Sequence, residues 1–141
     1  MQIGVDTQRA VENKRIFVID DDDVSGIALQ FMLADENETH VFGELDAALD
    51  KASAWPPQLV LLGHGLCGGR EGGLIAHLRA NLGGAKILLV CDAASAPDVA
   101  ALRAYGADGL LTRPLDLATV RRKVDAQLGR RTPLGIPLVV R

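Results

Sequence analysis

Short apolar runs alternate with amphipathic stretches along most of the chain. Runs of aliphatic and β-branched residues without polar alternation occur at 15–19, 58–62 and 86–91. Such runs are typical of strands that are buried on both faces of a sheet. Less pronounced strand patterns occur at 39–42 and 108–112. The pattern therefore predicts five strands, three of them buried on both sides.

Apolar residues at helical spacing predict a helix after each strand. The first helix carries the apolar stripe Val24, Ile27, Ala28 and Phe31, at i, i+3, i+4 and i+7, with Asp23 as its N-cap. The other helices are predicted at 45–52, 74–82, 97–104 and 117–128. Strands that alternate with helices predict an α/β fold, a doubly wound five-stranded parallel sheet with helices on both faces.

The chain of 141 residues favours one domain. We expect a polar leader at 1–14, the folded domain at 15–129 and a tail or linker at 130–141, which contains two prolines and the apolar run 138–140. The core is predicted to run through all parts of the sheet and the last helix, with Val18, Leu61, Leu88, Leu111 and Val124 among its residues.

Composition and charge exclude several classes of protein. Hydrophobic residues make up 48% and charged residues 23%, the balance of a soluble globular domain. The formal net charge of -3 predicts no nucleic-acid binding, and no apolar run reaches the roughly 20 residues of a membrane span. The two cysteines are too few for a disulfide framework and predict a cytoplasmic protein.

Polar residues are expected to meet at one edge of the predicted sheet. In parallel sheets the functional crevice lies at the carboxyl ends of the strands. Residues at these ends are Asp20 and Asp21 after the first strand, Gly63 after the third, Cys91 in the fourth and Arg113 after the fifth. This edge is therefore the candidate site.

Four segments, at 16–22, 57–62, 87–91 and 104–115, occur in the order and spacing of a known family. They resemble the receiver domain of two-component response regulators, and the resemblance spans 15–128. It implies a flavodoxin-like, receiver-type (βα)5 fold. It also implies a crevice where two carboxylates and an acceptor aspartate hold Mg²⁺, and where that aspartate takes a phosphoryl group from a histidine kinase. A Ser or Thr after the fourth strand and a Lys after the fifth then bind the phosphoryl oxygens.

The chain departs from this family at the reactive positions. It keeps the acidic pair Asp20 and Asp21, but Gly63 stands at the acceptor position, Cys91 replaces the Ser or Thr and Arg113 replaces the Lys. Glycine has no side chain that could form an acyl phosphate. The sequence therefore predicts a degenerate receiver, or pseudo-receiver: a non-enzymatic signalling module that acts by protein–protein interaction without conventional aspartyl phosphorylation.

The crevice leaves other hypotheses open. Asp20 and Asp21 are candidate Mg²⁺ ligands, although an ion pair with Arg113 is favoured because arginine forms a planar fork that matches carboxylates. No other cofactor is predicted. An unorthodox phosphorylation at Asp22 or Asp92 is a further alternative.

The glycine-rich segment at 63–73 suggests small-ligand alternatives. His64 and Cys67 have a spacing compatible with a metal site, and Cys67 and Cys91 are candidates for a disulfide. Gly63, Gly65 and Gly68 match the G-x-G-x-x-G spacing of nucleotide-binding loops, although glycines this dense match many spacings.

Candidate interaction residues lie on the predicted helix at 97–104, the fifth strand and the last helix. In receivers these elements commonly form the partner or dimer face. Arginine and tyrosine are enriched among interface hot spots. The expected partners are a histidine kinase, an output domain or another regulator, or a second copy of the chain, and the tail is expected to cover part of this face or to extend into a second subunit. The predicted interaction residues are Arg103, Tyr105, Leu110, Arg121 and Arg122.

Overall fold

In the computed structural model, which describes residues 14–67, 70–92, 104 and 106–130, five strands alternate with α-helices. The elements, in chain order, are β1 (Lys14–Ile19), α1 (Asp23–Leu33), β2 (Asn37–Phe42), α2 (Leu45–Ala54), β3 (Leu59–Gly63), a short 3-10 helix (His64–Leu66), α3 (Glu71–Leu82), β4 (Lys86–Asp92), β5 (Gly109–Arg113) and α4 (Leu117–Leu128). The predicted leader up to residue 13, nearly all of the predicted helix at 97–104, and the tail from residue 131 lie outside the described residues.

The five strands form one parallel sheet in the order β2-β1-β3-β4-β5. One hydrophobic cluster packs α2 and α3 on one face, and a second packs α1 and α4 on the other. The second cluster contains all of the core residues named from the sequence: Val18, Leu61, Leu88, Leu111 and Val124. The doubly wound α/β fold is therefore confirmed.

The folded region is slightly longer than predicted. Lys14 pairs with Asn37 as the first residue of β1. At the other end, the Arg130 backbone N–H donates to the Asp125 oxygen at 2.8 Å, and its guanidinium Nη2 donates to the Glu36 oxygen at 3.3 Å. Both residues assigned to flanking segments thus belong to the folded domain.

The predicted buried stripe of α1 is wrong. Val24, Ile27 and Phe31 are 76%, 65% and 87% exposed. The buried residues of this helix are instead Ser25, Gly26, Leu29 and Leu33. A Cβ added to Gly26 would lie 2.9 Å from Cγ1 of Val41, so the helix approaches β2 too closely for a larger residue.

Two local boundaries also differ from the prediction. Helix α1 has Asp22, and not Asp23, at its N-cap position. Helix α3 begins at Glu71 inside the glycine-rich segment, where the sequence predicted irregular structure up to residue 73. The hydrogen bond from the Leu74 N–H to the Arg70 oxygen, at 3.0 Å, forms part of this first turn. Burial of Ile75 and Leu78 holds the helix against the sheet despite the low helix propensity of glycine.

An ion pair fixes the start of β5, the strand that carries Arg113. Asp108 Oδ2 accepts hydrogen bonds from the Ile87 N–H at 2.8 Å and from Arg79 Nη2 at 2.7 Å. Arg79 also donates to the Gly106 oxygen at 2.6 Å. The β5 strand is thereby tied to β4 and α3 at the end opposite the crevice.

None of the helices in the described ranges combines the length and the apolar composition that a membrane-spanning helix needs.

Candidate functional site: the crevice at the carboxyl ends of the strands

Asp20 is the central acidic residue of the crevice. It follows β1, and its backbone N–H donates to the Phe42 oxygen at 3.0 Å. Its side chain is 1% exposed, and Oδ1 accepts the Asp22 backbone N–H at 3.0 Å. Asp21 and Asp22 are exposed. Of the predicted acidic pair, Asp20 points into the protein and Asp21 remains in solvent.

Arg113 closes the crevice from the end of β5. Its Nη2 lies 3.2 Å from Asp20 Oδ2, and its Nη1 lies 3.3 Å from Asp92 Oδ1. Its Nε donates to Ser25 Oγ at 2.8 Å. The expected ion pair with Asp20 is present, whereas no ion pair joins Arg113 to Asp21 among the described residues. The guanidinium fork therefore links β1, α1 and β4.

Ser25 is a site residue that the sequence interpretation missed. Its hydroxyl accepts from Arg113 and donates to Asp22 Oδ2 at 2.7 Å. Ser25, Leu29 and Leu33 recur at i, i+4 and i+8, which is also a helical stripe. This stripe could have identified Ser25 as a buried residue. The prediction instead followed the bulkier apolar residues on the opposite side of the helix, Val24, Ile27 and Phe31.

Burial raises the pKa of the Asp20 carboxyl. The Asp22 N–H and the Arg113 guanidinium counter this effect, and the neighbouring carboxylates of Asp22 and Asp21 add to it. The Ser25 hydroxyl, which donates to Asp22, lowers the pKa of the Asp22 carboxyl. The ion pair is thus opposed by desolvation and like-charge repulsion, and it depends on the position of Arg113.

Gly63, at the acceptor position implied by the resemblance, is the last residue of β3. Its φ of -69° and ψ of 128° are ordinary extended values, so the backbone itself does not require glycine. A Cβ added here would instead collide with the Asp20 carboxylate, with Oδ2 2.8 Å away and Cγ and Oδ1 closer. The Asp20 carboxylate occupies the space that a side chain at residue 63 would need.

Cys91 offers a poor substitute for a hydroxyl. It is fully buried in β4, and burial raises the pKa of its thiol. The thiol therefore stays protonated at neutral pH, and a thiol is a weak hydrogen-bond donor. Cys67 is buried in the hydrophobic cluster on the α2 and α3 face, and no disulfide joins Cys67 to Cys91.

The described residues do not fit a divalent cation. Both Asp20 oxygens already have partners, and one of these is a cation, Arg113. His64 lines the crevice while Cys67 is buried in the core. In the described part of the chain, no group of three or more His, Cys, Asp or Glu residues is placed to hold a metal ion.

The crevice is small and acidic. Its volume is about 320 Å³, and four carboxylates face one guanidinium among its lining residues, which are Asp20, Asp21, Asp22, His64, Gly65, Asp92 and Arg113. A Cβ added to Gly65 would lie 3.1 Å from Asp21 Oδ1, so this loop packs against a carboxylate. Gly68, the third glycine of the nucleotide spacing, lies outside the described residues. The charge of the crevice disfavours the phosphates of a nucleotide.

The predicted interaction face is described in part. Arg103 and Tyr105 lie outside the described residues. Arg121 was expected to be an exposed anchor, but its Nη2 forms an ion pair with Asp35 at 2.8 Å and its Nε donates to the Met32 oxygen. Leu110 packs against the core cluster, and Arg122 is exposed. Of the arginines predicted on α4, Arg122 is the one that remains available to a partner.

Solved structures that are similar to this chain include response regulators and their receiver domains. A response regulator receiver protein from Burkholderia phymatum is 24% identical, with a TM-score of 0.73, over 86% of this chain and 100% of that one. A two-component response regulator from Clostridium difficile is 24% identical, with a TM-score of 0.72, over 84% of this chain and 98% of that one. A response regulator receiver modulated diguanylate cyclase from Pelobacter carbinolicus is 25% identical, with a TM-score of 0.67, over 82% of this chain and 92% of that one.

No protein-family model matches the sequence, and no curated protein matches it. The structural likeness extends over more than four fifths of the chain and over nearly the whole of each of these solved chains. The chain therefore has the fold of response regulator receiver domains.

Proposed function

We propose that this protein is a cytoplasmic, receiver-like module of two-component signalling that binds other proteins and takes no phosphoryl group on an aspartate. The observation that carries the proposal is the Asp20–Arg113 ion pair beside Gly63. The acceptor position has no side chain, and Asp20 fills the space where one would lie. The proposed partner is a histidine kinase, an output domain, another regulator or a second copy of the chain.

Several features of the crevice support a role without phosphorylation. Arg113 already has the carboxylates of Asp20 and Asp92 as partners, so it is not free to receive a phosphoryl oxygen. Cys91 is buried and protonated, so it provides no strong donor. A protein that has the receiver fold but lacks the phosphorylation site still presents surfaces to partners, and binding requires no covalent step.

The proposed binding face comprises the predicted helix at 97–104, β5 and α4. Among the described residues of this face, Arg122 is an exposed cation. Charge at the rim of an interface changes partner choice and association rate. Arg121 is left out of the test because its pairing with Asp35 ties α4 to the end of α1.

Charge reversal at Arg122 tests this face. We expect Arg122→Glu to reduce self-association in light scattering and partner co-purification, while Arg70→Glu leaves both unchanged. Arg70 is the matched control because it is exposed at the start of α3, on the other face of the sheet from α4. Neither readout should respond to acetyl phosphate. Binding that survives Arg122→Glu, or that requires acetyl phosphate, would contradict the proposal.

A further inference from the structure

A second cavity lies at the end of the sheet opposite the crevice. Its volume is about 420 Å³, larger than the 320 Å³ of the crevice, and within the size range of small-molecule sites. The starts of β1 and β4, the segment before β3 and the ends of α3 and α4 form its walls. Its lining includes Lys14, Gln58, Leu82, Lys86, Gln127 and Leu128.

Two lysines give this cavity a positive charge. Ile16 and Leu88 belong to the hydrophobic cluster on the α1 and α4 face. Alternate residues of a strand point to the same face of a sheet, so Lys14 and Lys86 also lie on that face, beside the end of α4. Because β3 lies between β1 and β4, the two lysines stand on strands about 10 Å apart. Two ammonium groups thus border the cavity on different sides.

No carboxylate neutralises these lysines within the described part of the chain. The lining of the cavity contains no Asp or Glu, although the whole chain has a formal net charge of -3. Other cations of the fold have acidic partners: Arg15 pairs with Glu38, and Arg79 pairs with Asp108. A cavity with two cations and no acid in an acidic protein favours an anionic ligand.

Helix capping does not account for the two lysines. Basic side chains near a helix C-terminus can bind its last carbonyl groups. Here the backbone N–H groups of Gly83 and Gly129 donate to oxygens in the last turns of α3 and α4. Among the described residues, neither Lys14 nor Lys86 has a side-chain hydrogen bond or an ion pair. Their ammonium groups are therefore available to a ligand.

The other lining groups suit the carbon frame of an organic ligand. Leu82 is buried and Leu128 is half-buried, so both present an apolar wall. The Gln58 side chain is fixed because its Oε1 accepts the Arg15 backbone N–H at 2.6 Å. The amide NH2 group of Gln58 then remains as a hydrogen-bond donor to the ligand.

We propose that this cavity binds a small organic dianion, with one acid group at Lys14, the other at Lys86 and the carbon frame against Leu82 and Leu128. An ammonium group is a compact charge on a flexible stem, so carboxylates and phosphates both suit it. The cavity is separate from the crevice and from the question of phosphorylation. The inference thus goes beyond the proposed function, and its failure would leave that function untouched.

Amide chemical shifts of the isotope-labelled full chain, titrated with benzene-1,3-dicarboxylate, test the proposal. We expect saturable shifts at Gln58, Gly84, Lys86 and Leu128 and none at the residues that line the crevice. A parallel titration with 1,3-phenylene bisphosphate shows whether carboxylates or phosphates bind more tightly. Shifts confined to the crevice, or absent with both dianions, would overturn the proposal.

Variants and simpler probes make the result specific. Lys14→Gln and Lys86→Gln should each weaken binding about tenfold, through the loss of one charge-assisted hydrogen bond. Arg70→Gln, which removes the same charge at the crevice end of the sheet, should leave the Kd unchanged. Benzene-1,3-dicarboxamide, which has the same frame without charge, should not bind. Equal affinity for inorganic phosphate, or an unchanged Kd in both lysine variants, would show that no site for a dianion exists here.

Discussion

Replacing Gly63 with aspartate is expected to give a less stable protein that acetyl phosphate still fails to label. The new Cβ would collide with the buried Asp20 carboxylate, and overpacking of this kind costs about 2 kcal/mol. A second carboxylate beside Asp20 adds like-charge repulsion. Arg113 and Cys91 would still receive the phosphoryl oxygens poorly. Intact mass after treatment with acetyl phosphate and Mg²⁺ measures labelling, and thermal unfolding measures stability.

Matched variants separate the causes. Gly63→Ala introduces the same Cβ without a charge, so it should destabilise the protein less than Gly63→Asp. The combination of Gly63→Asp, Cys91→Thr and Arg113→Lys restores the family's residues and should regain labelling. Robust labelling of the single Gly63→Asp variant would show that Cys91 and Arg113 do not limit the chemistry.

Removing the guanidinium with Arg113→Ala should lower the melting temperature by about 10 °C at neutral pH, since breaking a buried ion pair costs about 3 kcal/mol and each kcal/mol moves Tm by a few degrees. The Asp20 carboxylate would remain buried without its cation, beside Asp22 and Asp92. Added Mg²⁺ should recover part of the loss by neutralising these carboxylates. Arg122→Ala, at an exposed position of α4, is the control and should change stability by about 0.5 kcal/mol or less.

The effect of Arg113→Ala should depend on pH. Burial raises the pKa of Asp20, and Arg113 opposes that rise. Without Arg113, the folded-state pKa rises further above the unfolded value of about 3.9. The folded variant then binds a proton on Asp20 more tightly than the unfolded chain does. Its free energy of unfolding therefore falls as pH rises from the unfolded pKa through the folded pKa, and it recovers as pH falls. The difference from wild type should shrink in acid. A variant as stable as wild type at neutral pH, with no response to Mg²⁺, would rule out the ion pair.

The core and the position of the crevice could be predicted because each depends on local pattern. Continuous apolar runs such as 59–62 identify strands buried on both faces, whatever their neighbours. Once the strands are parallel, their carboxyl ends must share one edge. Asp20, Gly63, Cys91 and Arg113 therefore fall at the same edge of the sheet without any knowledge of side-chain contacts.

The orientation of α1 and the partners of its neighbours could not be predicted in this way. Two stripes of α1 satisfy the helical period, and the bulkier one is exposed. The choice depends on a long-range contact, the close approach of Gly26 to Val41. The same limit applies to Arg121, whose ion-pair partner Asp35 lies 86 residues away in the chain. Hydrophobic periodicity carries no information about either contact.

Intact mass of the wild-type chain after incubation with acetyl phosphate and Mg²⁺ shows directly whether this chain takes a phosphoryl group, with the triple variant at residues 63, 91 and 113 as the positive control. We expect an unchanged mass for wild type and a gain of one phosphoryl group for the triple variant. A phosphoryl group on wild type, mapped by fragmentation to Asp22, Asp92 or any other carboxylate, would contradict it and would make the protein a receiver with an unorthodox acceptor.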